Sequence, residues 1–161
     1  MTDTTGDGEV TDVARLRAGV RRFVRAFGLL ASDQTPCGTP ISLSGGYALV
    51  HLLEAGRRGE EPTQQELARV LCVDKSNVAR LCAKMERDGL ARQRRAEHDG
   101  RSRRVSLTPK GKRLAERVEA SSHARFSRLF DAVPAHARST LLPALEALAA
   151  AAATLDTEDS P

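Results

Sequence analysis

The chain has 161 residues and a formal net charge of +4, a length that suits one domain, alone or with dimerisation arms. Of these residues 40% are hydrophobic but only 3% are aromatic, so the core must consist mainly of Leu, Val and Ala, a composition that favours helices. No apolar run approaches the roughly 18 residues that cross a bilayer, and the polar start does not look like a signal peptide. The three Cys have no regular spacing, which excludes a disulfide framework. We therefore expect a cytoplasmic protein with reduced thiols.

The positive charge is concentrated in residues 91–113, which hold nine basic and two acidic residues, a net charge of +7. The rest of the chain therefore sums to −3. A single basic patch on an otherwise slightly acidic chain is typical of a nucleic-acid contact. A solvated surface is the alternative reading of the same charges.

The N-terminal part predicts two helices. Residues 1–9 are small and polar, and we expect them to be disordered. Residues 10–31 predict a long amphipathic helix, because apolar residues recur at three- and four-residue steps. A loop with Pro and Gly at 32–42 leads to a second helix at about 44–55, and a polar connector covers 56–62.

Two short helices joined by a tight turn come next. Thr63 and Glu66 match a capping box, so the first helix begins there and ends near Leu71. Asp74 can cap the second helix, which is predicted at 75–88. A glycine, Gly89, ends that helix.

A hairpin follows, with strands predicted at 90–95 and 104–107 and a polar tip between them. Thr108-Pro109 then starts a helix over 108–132, because Thr is a good cap and Pro fits the first helical position. Pro134 breaks this helix, and a Leu- and Ala-rich helix is predicted at 135–154.

The helix at 75–88 has an apolar face for packing on the preceding helix, made by Val78, Leu81, Cys82 and Met85. Its predicted partners there are Leu67, Val70 and Leu71. The opposite face is polar and carries Ser76, Asn77, Arg80, Lys84 and Arg87. Ser and Asn bond phosphates or base edges, and Arg or Lys suits the guanine edge.

We predict that this polar face reads DNA. Ser76, Asn77 and Arg80 are expected nearest the bases, since a recognition helix enters the major groove with its N-terminal half. Lys84 is expected nearer a phosphate, and Lys75 is included in the contact. The alternative is an ordinary amphipathic surface helix.

The hairpin tip is the second predicted DNA contact. Arg101 and Arg103 lie at or beside its glycine, where they could enter a narrow minor groove. Asp99 is expected to orient Arg101 through a charge-assisted hydrogen bond. The N-terminus of the first short helix, at Thr63 and Gln64, could offer N–H groups to a phosphate, although Thr63 is equally well explained as a cap.

The order short helix, turn, short helix, hairpin predicts a winged helix-turn-helix over 63–107 that docks on duplex DNA. The same residues resemble the MarR (multiple antibiotic resistance regulator) family of transcription factors. The matching motifs are Leu67-Ala68, Ser76, Glu86 to Leu90, Asp99-Gly100-Arg101 and Leu107 to Gly111.

This resemblance implies a mainly α fold with a small α+β wing hairpin, in which N- and C-terminal helices, at 10–55 and 108–154, form a homodimerisation region around the lobe at 63–107. It also implies double-stranded DNA as a partner and a small phenolic or other aromatic effector. The tail 155–161 is expected to be disordered.

Other chemistry-bearing residues give weaker indications. Cys72 and Cys82 lie at apolar helix positions and are predicted core residues, whereas Cys37 lies in a loop and is the thiol that redox sensing would use. Tyr47 and His51 are four residues apart on the second helix. They could line an effector pocket, or they could only pack in the core or a dimer contact.

No His or Cys pair has metal-ligand spacing, and no pattern of a catalytic triad or phosphate loop is present in the sequence. We therefore expect no metal, no cofactor and no enzyme activity. The leading hypothesis is a homodimeric, ligand-responsive repressor at a pseudo-palindromic operator. The alternatives are a redox-sensing regulator that uses Cys37 and a winged-helix protein-interaction module that does not read DNA.

Overall fold

The computed structural model describes residues 5–31, 33–95 and 102–158, and helices dominate them. In chain order the elements are α1 (Thr5–Phe27), α2 (Leu43–Arg57), α3 (Gln64–Leu71), α4 (Lys75–Arg87), β1 (Ala91–Arg95), β2 (Arg103–Leu107), α5 (Pro109–Ala132) and α6 (Ala135–Glu158). The two strands pair in antiparallel fashion as one small sheet. The predicted mainly α fold with a short hairpin is confirmed.

Both ends of the helical region differ from the prediction. α1 begins at Thr5, inside the segment expected to be disordered, and ends at Phe27, earlier than expected. Gly28 follows with a φ of +79°, a left-handed conformation that glycine adopts without a steric penalty. α6 continues to Glu158, into the tail expected to be disordered, and it runs through Pro143.

The chain divides into two compact units, 1–122 and 123–161. The first unit has a hydrophobic core of Leu, Val and Ala with one Cys and one Met, as the aromatic-poor composition predicted. Its buried members are Ala48, Leu49, Leu52, Leu53, Leu67, Ala68, Val78, Cys82, Met85, Leu90, Ala91, Val105 and Ala115. α2 was grouped with the dimerisation helices, but it supplies four of these residues and so forms part of the same core as α3 and α4.

Local signals determine where α3 and α4 begin and end. The Thr63 hydroxyl accepts the backbone N–H of Glu66 at 3.2 Å, and the Glu66 carboxylate accepts the N–H of Thr63 at 2.7 Å, which completes a capping box. Asp74 caps α4 by accepting the N–H of Asn77 at 2.9 Å. Gly89 follows α4 with a φ of +70°. These three predicted boundaries are confirmed.

The turn between α3 and α4 corrects two predictions of burial. Cys72 follows α3 with a left-handed φ of +51° and is exposed, not buried. The reversal turns its side chain away from the apolar face, and Val73 packs against the core instead. Val70 is 53% exposed, because α3 directs its Leu67 and Leu71 side towards the core.

The start of α5 is fastened to the loop between α4 and β1. Thr108 donates its backbone N–H to the Leu90 carbonyl at 3.0 Å and its hydroxyl to the Gly89 carbonyl at 2.6 Å. The same hydroxyl accepts the N–H of Gly111 at 3.0 Å, so Thr108 is the cap that the sequence predicted. We call these contacts between Gly89–Leu90 and Thr108–Gly111 the α4–α5 clamp.

The second unit contains the bend between α5 and α6. The Arg138 guanidinium donates to the carbonyl oxygens of Val133 at 2.9 Å and Asp131 at 2.8 Å, and it lies 5.3 Å from the ring centroid of Phe130. Pro134 separates the two helices, which confirms the predicted break.

The clamp predicts a strong effect of Gly111→Ala on stability. A Cβ at this position would lie 1.9 Å from the Leu90 carbonyl oxygen, and backbone cannot move aside as a flexible side chain can. We expect a loss of about 1–3 kcal/mol or more in the free energy of unfolding, measured by urea denaturation.

Gly56→Ala is the matched control, because nothing lies within 4 Å of a Cβ there. That variant should be equal to the wild type or more stable, by about 0.5–1 kcal/mol, because Gly weakens a helix relative to Ala. Equal unfolding curves for Gly111→Ala and the wild type would contradict the close approach.

Candidate nucleic-acid interface

α4 presents the polar face that the sequence predicted. Its buried side is made by Val78, Cys82 and Met85, and Leu81 packs against the same core half-buried. The predicted contact residues on the other side are all exposed: Lys75, Ser76, Asn77, Arg80 and Lys84. The division of this helix into a core face and a polar face is therefore confirmed.

The polar face carries an internal hydrogen-bond network at its N-terminal end. The Asp74 carboxylate accepts the Ser76 hydroxyl at 2.6 Å and both the backbone and the side-chain N–H of Asn77. Arg80 donates from Nη2 to the side-chain oxygen of Asn77 at 2.6 Å. These bonds to Ser76 and Asn77 lower the pKa of Asp74, which therefore stays ionised.

Lys84 lies further along the same helix, near its C-terminal end. Its Nζ forms an ion pair with the Asp88 carboxylate at 2.8 Å. Lys110, on the first turn of α5, donates to the backbone carbonyl of Asp88 at 2.7 Å. Two lysines therefore converge on the end of α4.

The N-terminus of α3 is occupied by its own side chains. Thr63 is the N-terminal cap of α3, which is one of the two roles predicted for it. Gln64 turns its side-chain N–H towards the side-chain oxygen of Gln93 on β1. The Gln64 side chain is half-buried and directed at the hairpin, so it is not aimed outward from this helix end.

Gln93 joins three elements, a role that was not predicted from the sequence. Its backbone N–H and its side-chain N–H donate to the two carboxylate oxygens of Glu86, at 3.1 Å and 2.8 Å. With the Gln64 contact, this amide ties α3, α4 and β1 together. The only signal in the sequence was Glu86, the first residue of the Glu-to-Leu90 motif.

The hairpin strands pair like charges with each other. The antiparallel register sets Arg94 opposite Arg104 and Arg95 opposite Arg103. Like charges directly opposite destabilise a strand pair, so a polyanion beside the hairpin would relieve the repulsion. Of these four residues only Arg103 was a predicted site residue, because the sequence does not reveal the strand register.

A third segment borders β2 at its outer edge. Thr63 forms an isolated antiparallel bridge with Arg104, and the Val105 N–H donates to the Pro62 carbonyl at 2.9 Å. Arg104 also donates to the Glu61 carbonyl at 2.8 Å. These bonds orient the base of the hairpin relative to the start of α3. Asp99 and Arg101 at the predicted tip lie outside the described residues.

Tyr47 and His51 lie one helical turn apart on α2. Tyr47 is 60% exposed and His51 is half-buried. Further along the same helix, Arg57 forms a two-pronged ion pair with Glu119 of α5, with N–O distances of 3.1 Å and 3.0 Å. The ion pair connects the helix that bears Tyr47 and His51 to α5.

The three cysteines have distinct surroundings. Cys82 is fully buried, as predicted, and burial raises the pKa of its thiol to about 11. Cys37 is half-buried in a loop: burial raises the pKa of its thiol, but hydrogen bonds from Thr35, Thr39 and its own backbone outweigh this, and the net pKa is lowered. The Thr35 hydroxyl lies 2.9 Å from the Cys37 sulfur.

Within the ranges 5–31, 33–95 and 102–158, no three His, Cys, Asp or Glu side chains lie close enough together to hold a metal ion. No helix in the part of the chain that the structure describes is both long and apolar enough to cross a membrane.

The sequence model of the MarR family matches residues 46–102, from α2 to the hairpin. Over these residues the chain is similar to the MarR family. The matched range holds the α2–α4 core, the Asp74 network and β1. The resemblance that the sequence motifs indicated is therefore confirmed.

Three solved structures illustrate the shared fold. Staphylococcus aureus MepR in a complex with DNA is 19% identical, with a TM-score of 0.70 over 84% of this chain and 96% of that chain. Streptococcus pneumoniae FabT in complex with DNA is 19% identical, with a TM-score of 0.63 over 95% and 99%. Streptomyces coelicolor PcaV, in complex with its natural ligand, is 20% identical, with a TM-score of 0.58 over 94% and 98%.

No curated protein matches the chain as a relative. At 19–20% identity, these structures show that the chain shares their fold.

The capping box predicts a pH-dependent effect of Glu66→Gln. The Thr63 backbone N–H and hydroxyl lower the pKa of Glu66 from its ordinary value of 4.5. A carboxylate with a lowered folded-state pKa stabilises the fold above its ordinary pKa, and this stability is lost as the pH falls through the folded-state value. Gln keeps an acceptor for the Thr63 N–H but cannot titrate.

We therefore expect Glu66→Gln to be less stable than the wild type at neutral pH, and the difference to shrink once the pH falls below 4.5. Urea denaturation at a series of pH values measures it. In a Thr63→Ala background the pH dependence of the difference should be smaller. A difference that stays constant with pH would contradict the role of the ionised carboxylate.

Proposed function

We propose that the chain is a homodimeric, sequence-specific DNA-binding transcriptional regulator, a ligand-responsive repressor of a pseudo-palindromic operator. The observation that carries the proposal is the exposed polar face of α4, held on a buried core and followed by a hairpin with opposed arginine pairs. A recognition helix needs exposed base-reading groups on a rigid support, and a wing needs positive charge.

Each site residue has a proposed role. Arg80 reads a guanine edge in the major groove, and Ser76 and Asn77 lie beside it. Lys75 and Lys84 contact phosphates, and the backbone at Thr63 and Gln64 does the same. In the wing, Arg101 and Arg103 enter the minor groove, with Asp99 orienting Arg101.

The proposed dimer is supported by apolar side chains that the chain leaves in water. On α1 these are at least 44% exposed: Val13, Leu16, Val20 and Phe23. In the second unit they include Phe126, Leu142, Leu145 and Leu155. Burying such side chains against a second copy stabilises an assembly by about 25 cal/mol per Å² of apolar surface. A two-fold dimer would read half-sites about one helical turn apart.

The proposed effector is a small phenolic or other aromatic compound near Tyr47 and His51. A ligand that prefers one spacing of the two recognition helices shifts the dimer towards that spacing and weakens operator binding. The Arg57–Glu119 ion pair would carry a movement of α2 to α5. Calorimetric titration with 4-hydroxybenzoate, repeated on Tyr47→Ala, tests this; equal heats for both would contradict a pocket at Tyr47.

Redox control through Cys37 is the second candidate, and the lowered pKa of its thiol favours it. Mass spectrometry after mild peroxide treatment tests this candidate, and an unmodified Cys37 would contradict redox control.

A protein-interaction module that does not read DNA would have no use for the polar face formed by Ser76, Asn77 and Arg80. Such a module would bind all DNA duplexes equally or bind none.

Arg80→Ala and Arg103→Ala should weaken DNA binding in different ways. We expect Arg80→Ala to cost about 1–3 kcal/mol on a selected operator and to relax the preference at one base pair. Arg103→Ala, like Arg101→Ala, should weaken all duplexes similarly and reduce the slope of log affinity against log salt by about one.

Fluorescence anisotropy with an operator from random-duplex selection, and with its single-base variants, measures both effects. Arg117→Ala, at an exposed position of α5, is the control for the loss of one positive charge away from the polar face of α4. Unchanged specificity in Arg80→Ala would disprove its base-reading role. A wild-type protein that selects no sequence at any salt concentration would disprove the regulator.

Replacing two apolar residues on α1 should disrupt the dimer. Leu16 and Val20 lie one turn apart on the exposed face, so the Leu16→Gln, Val20→Gln variant should elute as a monomer. Operator affinity should fall by about a hundredfold or more, because a monomer holds only one half-site.

Light scattering after size exclusion measures the mass of each variant. Arg17→Gln, Arg21→Gln is the control, since both residues are exposed on the same helix, and it should remain a dimer. If the Leu16→Gln, Val20→Gln variant also remains a dimer, the prediction that α1 forms part of the dimer interface is wrong.

A further inference from the structure

Asn77 uses both ends of its side-chain amide within the protein. Its amide N–H donates to one carboxylate oxygen of Asp74, and its amide oxygen accepts from Arg80 at 2.6 Å. The other Asp74 oxygen accepts the Ser76 hydroxyl and the Asn77 backbone N–H. An Asn that reads adenine needs the same amide N–H and oxygen together on the base edge.

The chemistry of the partners allows only one orientation of this amide. An ionised carboxylate only accepts hydrogen bonds, and a guanidinium only donates them. If the amide were rotated by half a turn, its oxygen would face the Asp74 oxygen and its N–H would face the Arg80 N–H, and both bonds would be lost. Asp74 therefore determines which end of Asn77 faces Arg80.

Arg80 remains free to read DNA while it donates to Asn77. A guanidinium has five donors, and the bond from Nη2 uses one of them. A guanidinium can form a two-pronged hydrogen bond through either of two edges, Nε with Nη2 or Nη1 with Nη2. Each edge uses a different hydrogen of Nη2. One edge is therefore still available for a two-pronged bond to guanine. The bond to Asn77 also limits the rotation of a long side chain before DNA arrives.

We propose that Asn77 is a positioning residue and not a base reader: the relay from Asp74 through Asn77 to Arg80 orients the guanidinium that reads one G·C base pair. The inference rests on the proposed function and reassigns Asn77 within it. A side chain that is ordered before binding loses less entropy when it binds. Discrimination at the Arg80 base pair therefore depends on all three residues.

The DNA-free protein supplies the first test. In NMR spectra, the side-chain amide resonances of Asn77 are assigned by their loss in Asn77→Ala. They should shift in Asp74→Ser, where Ser keeps the helix cap but lacks the second oxygen, and again in Arg80→Ala. Asp88→Ser removes an equal charge from the other end of α4 and should leave them in place. If the Asn77 amide resonances are unchanged in both Asp74→Ser and Arg80→Ala, the relay is wrong.

DNA binding supplies the second test, with the full-length dimer, its selected operator and all single-base variants of that operator. Arg80→Ala should lose about tenfold or more in discrimination at one base pair. Asn77→Ala and Asp74→Ser should lose discrimination at the same base pair, by about threefold to tenfold. The Asn77→Ala, Arg80→Ala double variant should bind no more weakly than Arg80→Ala.

The outcomes separate the two levels of the proposal. If Asn77→Ala relaxes a different base pair and its effect adds to that of Arg80→Ala, then Asn77 reads a base itself and the relay is wrong, although the regulator stands. If the wild type prefers no sequence, the proposed function fails as well. Thermal unfolding of each variant, with Asp88→Ser as the control for lost charge, identifies effects that arise only from a weakened α4.

Discussion

The contact between the Leu90 carbonyl and Gly111 is the constraint on which the lobe depends. Leu90 follows α4, and Gly111 lies in the first turn of α5, where a Cβ would be 1.9 Å from that carbonyl. Thr108 bonds the same loop at two carbonyls, and Lys110 reaches a third. The end of α4 and the start of α5 therefore move as one piece. Because Gly111 lies in the first turn of α5, a rotation at this end of the helix would be transmitted directly to α4.

The polar contacts of the lobe extend this rigidity to the wing. Gln93 links β1 to Glu86 on α4 and to Gln64 on α3. A bridge at Thr63 and a bond to Pro62 attach β2 to the segment that precedes α3. The polar face of α4 and the hairpin are thus connected by hydrogen bonds within the protein itself. Such a preformed surface lowers the entropy that is lost on binding.

The features of this lobe that could be predicted from the sequence are those that depend on residues close together in the chain. Three helix boundaries were predicted: the capping box at Thr63, the cap at Asp74 and the end of α4 at Gly89. Each of them depends on residues that lie within four positions of each other in the chain. The exposed Cys72 was missed because cysteine, unlike glycine or asparagine, gives no signal for a left-handed residue at a helix end. The arginine pairs and the Gln93 contacts were missed because they depend on strand register. The packing of α2 into the lobe involves partners far along the chain, and periodicity alone does not identify them.

The opposed arginine pairs of the hairpin have a consequence for the solution around the protein. Four guanidinium groups held at fixed register on two short strands attract small anions from the buffer while no DNA is present. Binding to DNA must then expel anions from the protein in addition to the cations that leave the duplex. The affinity should accordingly depend on the identity of the buffer anion, such as chloride or glutamate, as well as on the total ionic strength. For the proposed regulator, the chemical nature of the abundant anions would be part of what determines the occupancy of its operator in a cell.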